Sequence, residues 1–237
     1  MKLLMLLMIL TAAVLAAELP TDTLSTAAGD LQITFVGHGT LYFTWQDKVC
    51  HIDPWSRLAD YAELPKADVV LITHHHRDHL DAQAVAQIRR DDTVVLLTEK
   101  CTDVEGQVMR IGDSLSVAGI QVRAVPAYNI VHKRDNGEPF HPKGEGVGYL
   151  LTFADVTVYV AGDTENIPEM AELKGKVDVA FLPVNLPYTM DADMAADAAR
   201  MIAPKILYPY HFNKDQAARL AKLLESETID LRIRAME

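Results

Sequence analysis

Residues 73–81 read THHHRDHLD, which places four histidines and two aspartates within nine positions. Imidazole nitrogens and carboxylate oxygens are donors that suit Zn2+, Mn2+ and Fe2+. The spacing His74-x-His76-x-Asp78-His79 lets a tight loop turn alternate side chains toward one centre. Two further candidates stand alone later in the chain. Asp163 ends the segment VTVYVAG and His211 follows ILYPY, both at strand ends, where function tends to sit. Asp163 could also cap a helix, but Asn166 fills that role better, with Glu169 three residues on as in a capping box. A lone histidine at the position of His211 would more often be structural, unless the cluster needs a further donor.

Such residues need elements that bring them to one rim. DVVLIT (68–73) is a continuous apolar run, the pattern of a strand covered on both faces, and it delivers the chain into His74. Asp81 is placed to N-cap a helix running to Arg90, and TVVLL (93–97) reads as another buried strand. Upstream, LQITFV (31–36), LYFTW (41–45) and VCHID (49–53) read as a meander with turns at Gly37, Gly39 and Asp47–Lys48. Downstream, strands are expected near 115–117, 120–126, 147–153, 156–161, 178–184 and 205–209, with helices near 167–174, 191–202 and 214–225. This mixture requires a layered α/β domain with helices outside. Residues 127–145 show no periodicity, and a loop of that length reads as the wall of a site. The alternation around DVAFLPV and KILYPY echoes the one around DVVLIT and TVVLL too weakly to establish a duplication.

H-x-H-x-D-H after a hydrophobic strand, with FVGHGT at 35–40, HIDP at 51–54, AGDT at 161–164 and YPYHF at 208–212, resembles the metallo-β-lactamase superfamily. The resemblance spans nearly the whole mature chain. Order and spacing are similar to the branch containing ascorbate-6-phosphate lactonases and N-acyl phosphatidylethanolamine phospholipase D. It implies a four-layer αββα sandwich and a metal-dependent hydrolase. The implied reaction uses hydroxide held by two divalent metal ions, Zn2+ first with Mn2+ or Fe2+ as alternatives, on a lactone, phosphodiester or related ester.

The resemblance further implies His74 and His76 on the first metal, Asp78, His79 and His211 on the second, and Asp163 between them. Asp78 would also orient the attacking water or accept its proton. Asp53 is assigned the support of a ligand imidazole. His38 stays open between coordination and a hydrogen bond to a ligand histidine, and His51 is read as structural. The chain departs from the pattern in VPAYN (125–129), where many relatives carry a metal-binding histidine and this one has Tyr128. The third nitrogen must then come from elsewhere or be missing, and the candidates are His132 and His141, both in the long loop. His132 is followed by Lys133 and Arg134, whose charges oppose a dication, whereas His141 lies between Phe140 and Pro142, so His141 is favoured. Tyr128, Asn185 and Tyr188 are open between lining the pocket and ordinary packing. The alternative function is a non-catalytic metal- or partner-binding module on the same fold, marked by a damaged ligand set.

The whole chain has 237 residues, 49% of them hydrophobic, enough for a substantial core. Its formal charge of −11 is dispersed, which argues against a nucleic-acid partner and leaves a small-molecule substrate as the expected one. Oligomeric state has no signal. Lys2, the run LLMLLMIL and the small residues of TAAVLAA form the order of a secretory signal peptide over 1–17. The expectation is export to the periplasm or medium, a linker over 18–30, a domain over 31–237, and no stable membrane insertion of the mature chain. An uncleaved anchor is the competing reading. Cys50 and Cys101 could pair if their Cα atoms come within about 7 Å, or be two small buried residues.

Overall fold

The computed structural model describes residues 19–237, so the expected signal peptide lies outside the described residues. The first sheet contains β1 (Thr21–Thr26), β2 (Gly29–Gly37), β3 (Thr40–Trp45), β4 (Lys48–Ile52), β5 (Val69–Leu71), β6 (Val94–Leu97) and β7 (Gln107–Val108), in that spatial order. Helix α1 (Ala82–Ile88) connects β5 to β6. The second sheet contains β8 (Ser114–Val117), β9 (Ile120–Ala127), β10 (Gly146–Phe153), β11 (Val156–Val160), β12 (Val179–Val184), β13 (Ile206–Phe212) and β14 (Asp230–Leu231). A 3-10 helix (Pro168–Leu173), α2 (Ala192–Ile202) and α3 (Lys214–Leu223) are interleaved there.

Each sheet starts with four antiparallel strands and continues with parallel ones, so the two halves repeat one topology. The echo between the two alternations thus has a structural counterpart.

Burial explains the layers. In β5, Val69 and Leu71 face the core between the sheets, while Val70 and Ile72 join Ala84, Val85 and Ile88 of α1 on the outer side. Aromatic contacts cross between the sheets, with Phe43 and Phe153 centroids 5.3 Å apart and Phe35 and Phe181 at 6.3 Å. Helix α2 buries Ala195, Ala196, Ala199 and Ile202 in the same main core. The result is the αββα sandwich. Cys50 lies in the main core and Cys101 under α1, both free and buried.

Two expectations need correction. The segment read as a linker, 18–30, forms β1 and the start of β2, with Leu24 paired opposite Leu31. Its inward positions, Asp22, Leu24 and Thr26, include two polar residues, which hid the period of two. Asn166 caps no helix: the 3-10 helix starts after Ile167 without a side-chain cap. Glu169 is drawn instead to Lys143 Nζ at 2.6 Å and to the Tyr128 hydroxyl at 3.0 Å.

Candidate metal centre

The candidate residues gather where strands end. His74 follows β5, Asp53 follows β4, Asp163 follows β11 across Gly162, and the loop between β9 and β10 brings in His141. Carboxyl ends of parallel strands are where open α/β sheets place ligands. His211 belongs to a bulge in β13: Tyr210 pairs with Pro183 and Phe212 with Val184, so His211 is the extra residue. Its φ of 45° turns the side chain off the sheet's alternation, as bulges beside active sites do. His38 (φ 51°) and Asp53 (φ 45°) share this left-handed conformation, so three non-glycine residues at one site carry backbone strain. Gly39 must lack a side chain, because a Cβ there would stand 2.8 Å from His79 Cε1.

Two clusters meet at Asp163. In the first, His76 Nδ1 lies 3.1 Å from His74 Nε2 and 3.2 Å from His141 Nε2, and Asp163 Oδ2 is 3.3 Å from His141 Nε2. In the second, Asp78 Oδ2 lies 3.7 Å from His79 Nε2 and 3.4 Å from His211 Nε2. Asp163 Oδ1 is 3.5 Å from His79 Nε2, and its Oδ2 is 3.6 Å from His211 Nε2. Donors about 2.0–2.1 Å from a tetrahedral ion stand roughly 3.3 Å from one another, so this spacing fits a metal.

Protons fit as well. Asp53 is fully buried and accepts from the Thr73 amide at 2.7 Å, the Thr73 hydroxyl at 2.6 Å and His79 Nδ1 at 2.8 Å. With its own proton given to Asp53, the Thr73 hydroxyl accepts from His74 Nδ1 at 3.0 Å. Asn129 Oδ1 accepts from His141 Nδ1 at 2.6 Å. These bonds leave lone pairs on Nε2 of His74, of His79 when that ring is neutral, and of His141. The first and third face His76 Nδ1, which carries one proton at most, so a cation relieves at least one repulsive contact. His79 Nε2, His211 Nε2 and Asp163 Oδ1 are buried without a hydrogen-bond partner among the described residues.

Burial lowers the His76 pKa to about 4, reinforced by His141, and burial with His79 holds His74 well below its ordinary value. Both are therefore neutral donors at neutral pH. Burial alone would also lower His79, but Asp163, Asp53 and Asp78 outweigh it and raise the value to about 9. The pocket favours positive charge at that position.

Other assignments resolve by geometry. Asp53 supports His79 and, through Thr73, His74. His38 Nε2 lies 3.1 Å from Asp78 Oδ2 and falls in one donor group with Asp78, His79 and His211, so it stands both as a partner of that aspartate and as a further candidate donor to the second cluster. His51 is buried in β4 with Nε2 3.0 Å from the Pro65 carbonyl. The His132 ring lies 2.8 Å from buried Glu165, outside both clusters. Tyr128 turns to Glu169, and the Asn185 amide nitrogen Nδ2, a donor, stands 2.9 Å from His211 Nδ1. Sequence reasoning missed Thr73, Asn129 and Glu165. Asn129 stood in the departing segment VPAYN, but nothing in the sequence singled out Glu165. The cleft over the clusters encloses about 470 Å³, with Arg77, Arg134, Phe140 and Tyr188 around the donors.

A family profile described as β-lactamase superfamily domain matches residues 32–211. The chain belongs to that superfamily. It is 33% identical over 201 residues to a UPF0173 metal-dependent hydrolase of Pyrococcus horikoshii, covering 77% of this chain and 85% of the relative. Among solved structures, a protein of Parabacteroides distasonis described as a metal-dependent hydrolase superposes with a TM-score of 0.87 at 44% identity, covering 92% of this chain and all of that one. Igni18, a metallo hydrolase from Ignicoccus hospitalis, gives a TM-score of 0.72 at 25% identity, covering 87% of this chain and 95% of its own. This superfamily member is a metal-dependent hydrolase of the metallo-β-lactamase fold. No helix among the described residues is long and apolar enough to cross a membrane.

Proposed function

We propose that this hydrolase holds two divalent cations, Zn2+ in preference to Mn2+ or Fe2+, and cleaves a lactone, phosphodiester or related ester of a small molecule. The observation that carries the reading is the pair of donor clusters joined at Asp163. His74, His76 and His141 would hold one cation, Asp78, His79 and His211 the other, and Asp163 both. Cations there would lower the pKa of water and polarise the oxygen of the bond under attack. Asp78 borders the cleft with its carboxylate one-third exposed, so it can orient an incoming water or take its proton. His38 donates to that carboxylate and fixes its direction.

A complete donor set favours hydrolysis over the non-catalytic module. Arg77 and Arg134 also favour an anionic substrate. They line the cleft without forming an ion pair with any described carboxylate, and Arg134 is held by the Phe140 carbonyl at 3.1 Å and over the Phe140 ring. Guanidinium groups match phosphate and carboxylate oxygens.

Metal analysis of the purified protein, followed by a panel of lactones, phosphodiesters and β-lactams, tests the proposal. The expected outcome is about two ions per chain and hydrolysis of an ester or phosphodiester that stops on chelation and returns on adding the ion. Hydrolysis indifferent to chelation would overturn it.

A further inference from the structure

We propose that Glu165 is the positioning residue for His141, acting through the side-chain amide of Asn129. The inference rests on reading His141 as a metal-holding residue. Glu165 is fully buried, and a carboxylate is costly to bury unless its lone pairs are used. Here Oε2 accepts from the amides of Ile130 and Val131 at 2.6 and 2.7 Å, and Oε1 from the His132 amide at 2.6 Å and Asn129 Nδ2 at 3.1 Å.

Asn129 is therefore oriented from behind. Its amino group is committed to Glu165 and to the Tyr188 carbonyl at 2.9 Å, which leaves Oδ1 as the only group it can present to His141. That oxygen accepts from His141 Nδ1 at 2.6 Å and from the His141 amide at 3.1 Å. A reversed amide would instead offer N–H to His141 Nδ1. The ring proton would then move to Nε2, the atom that faces His76 and Asp163, and block its lone pair. Glu165, together with the Tyr188 carbonyl and the His141 amide, thus sets a tautomer without touching the ring itself. It lies two residues after Asp163, so one short loop supplies both the shared carboxylate and this support.

The test uses the full chain, with Glu165→Gln and Asn129→Ala as variants. Imidazole nitrogen NMR of the metal-free proteins reads the His141 tautomer, and Zn2+ titration against a competing chelator reads the affinities of the two clusters. We expect an Nδ1–H tautomer in the wild type that is lost in both variants. The His74–His76–His141 cluster should weaken about 10–100-fold, as is usual when a residue supporting a metal ligand is removed. The Asp78–His79–His211 cluster should keep its affinity. The double variant should be no worse than the poorer single one, because both act on one path. An unchanged tautomer, or equal weakening of both clusters, would overturn the proposal. If Glu165→Gln does not fold, Glu165→Asp, which shortens the reach to Asn129, takes its place, while Asn129→Ala, which keeps the three backbone bonds to Glu165, tests the step from Asn129 to His141, where an unchanged tautomer overturns the path. A wild type that binds no Zn2+ would sink the metal reading instead, and the tautomer measurement would still judge the Glu165–Asn129 path.

Discussion

Asp53 accepts from three donors with one carboxylate, and two of the three lead directly or through Thr73 to histidines of different clusters. Replacing it with Asn puts an N–H where an acceptor is needed, so His79 or Thr73 must reverse its polarity. We expect Asp53→Asn to bind metal about 10–100-fold more weakly while keeping the fold. Competitive metal titration with a parallel urea melt checks this, and unchanged affinity would reduce Asp53 to a packing role. The contrast with its neighbours shows what a sequence can reveal at this scale. His74, His76, Asp78 and His79 crowd into one loop, so their chemistry is visible in the chain. Glu165 and Asn129 are 36 positions apart and common in type, and only the fold brings their side chains within 3.1 Å. His141 lies between these extremes, reached through the gap left by Tyr128 rather than through any pattern of its own.

At the scale of elements, strands buried on both faces were the most legible, because β5 and β12 are unbroken apolar runs. Short or half-polar strands such as β1, β7 and β14 were not, since pairing with a neighbour rather than side-chain pattern defines them. The bulge at His211 was equally hidden, because it shows only as a slip in register between β12 and β13. Helix α1 was legible through its cap. Asp81 accepts from the Gln83 and Ala84 amides and also from the amide and hydroxyl of Ser56, so it fastens the helix that follows the metal loop to the loop after β4. Loss of an N-cap costs about 1–2 kcal/mol. Asp81→Ala should therefore lower the urea midpoint by that amount of stability with little change in slope, and an unaltered midpoint would mean that Ser56 and water replace the cap.

At the scale of the molecule, the repeated topology leaves both ends of the described chain at one side of the sandwich, where charge joins them. Export remains a proposal of the sequence alone: Lys2, the apolar run and Ala16–Ala17 imply that exported protein lacks about 16–17 residues, and an intact mass that retains Met1 would refute cleavage. Just beyond that point, Asp22 on β1 accepts from Arg234 at 2.7 Å, from the Tyr208 hydroxyl on β13 and from Arg232 at 3.5 Å. The first sheet is thus tied to the second at its far edge. Burial pushes the Asp22 carboxyl up, but the bonds from Tyr208 and Arg234 and the charges of Arg234 and Arg232 outweigh it, and the net value lies below the ordinary one. A depressed folded value stabilises the fold fully above the unfolded pKa of about 4, and the contribution fades as pH falls through the folded value. Asp22→Asn should cost about 1–3 kcal/mol at pH 7, the scale of a hydrogen bond to a charged group. Urea unfolding of wild type and variant across the pH range should show that gap constant from neutral pH down to about 4, then closing as the wild-type carboxylate takes up its proton. A gap that keeps its size in acid would show that Asp22 acts by shape and packing, with its charge contributing nothing to the union of the two sheets.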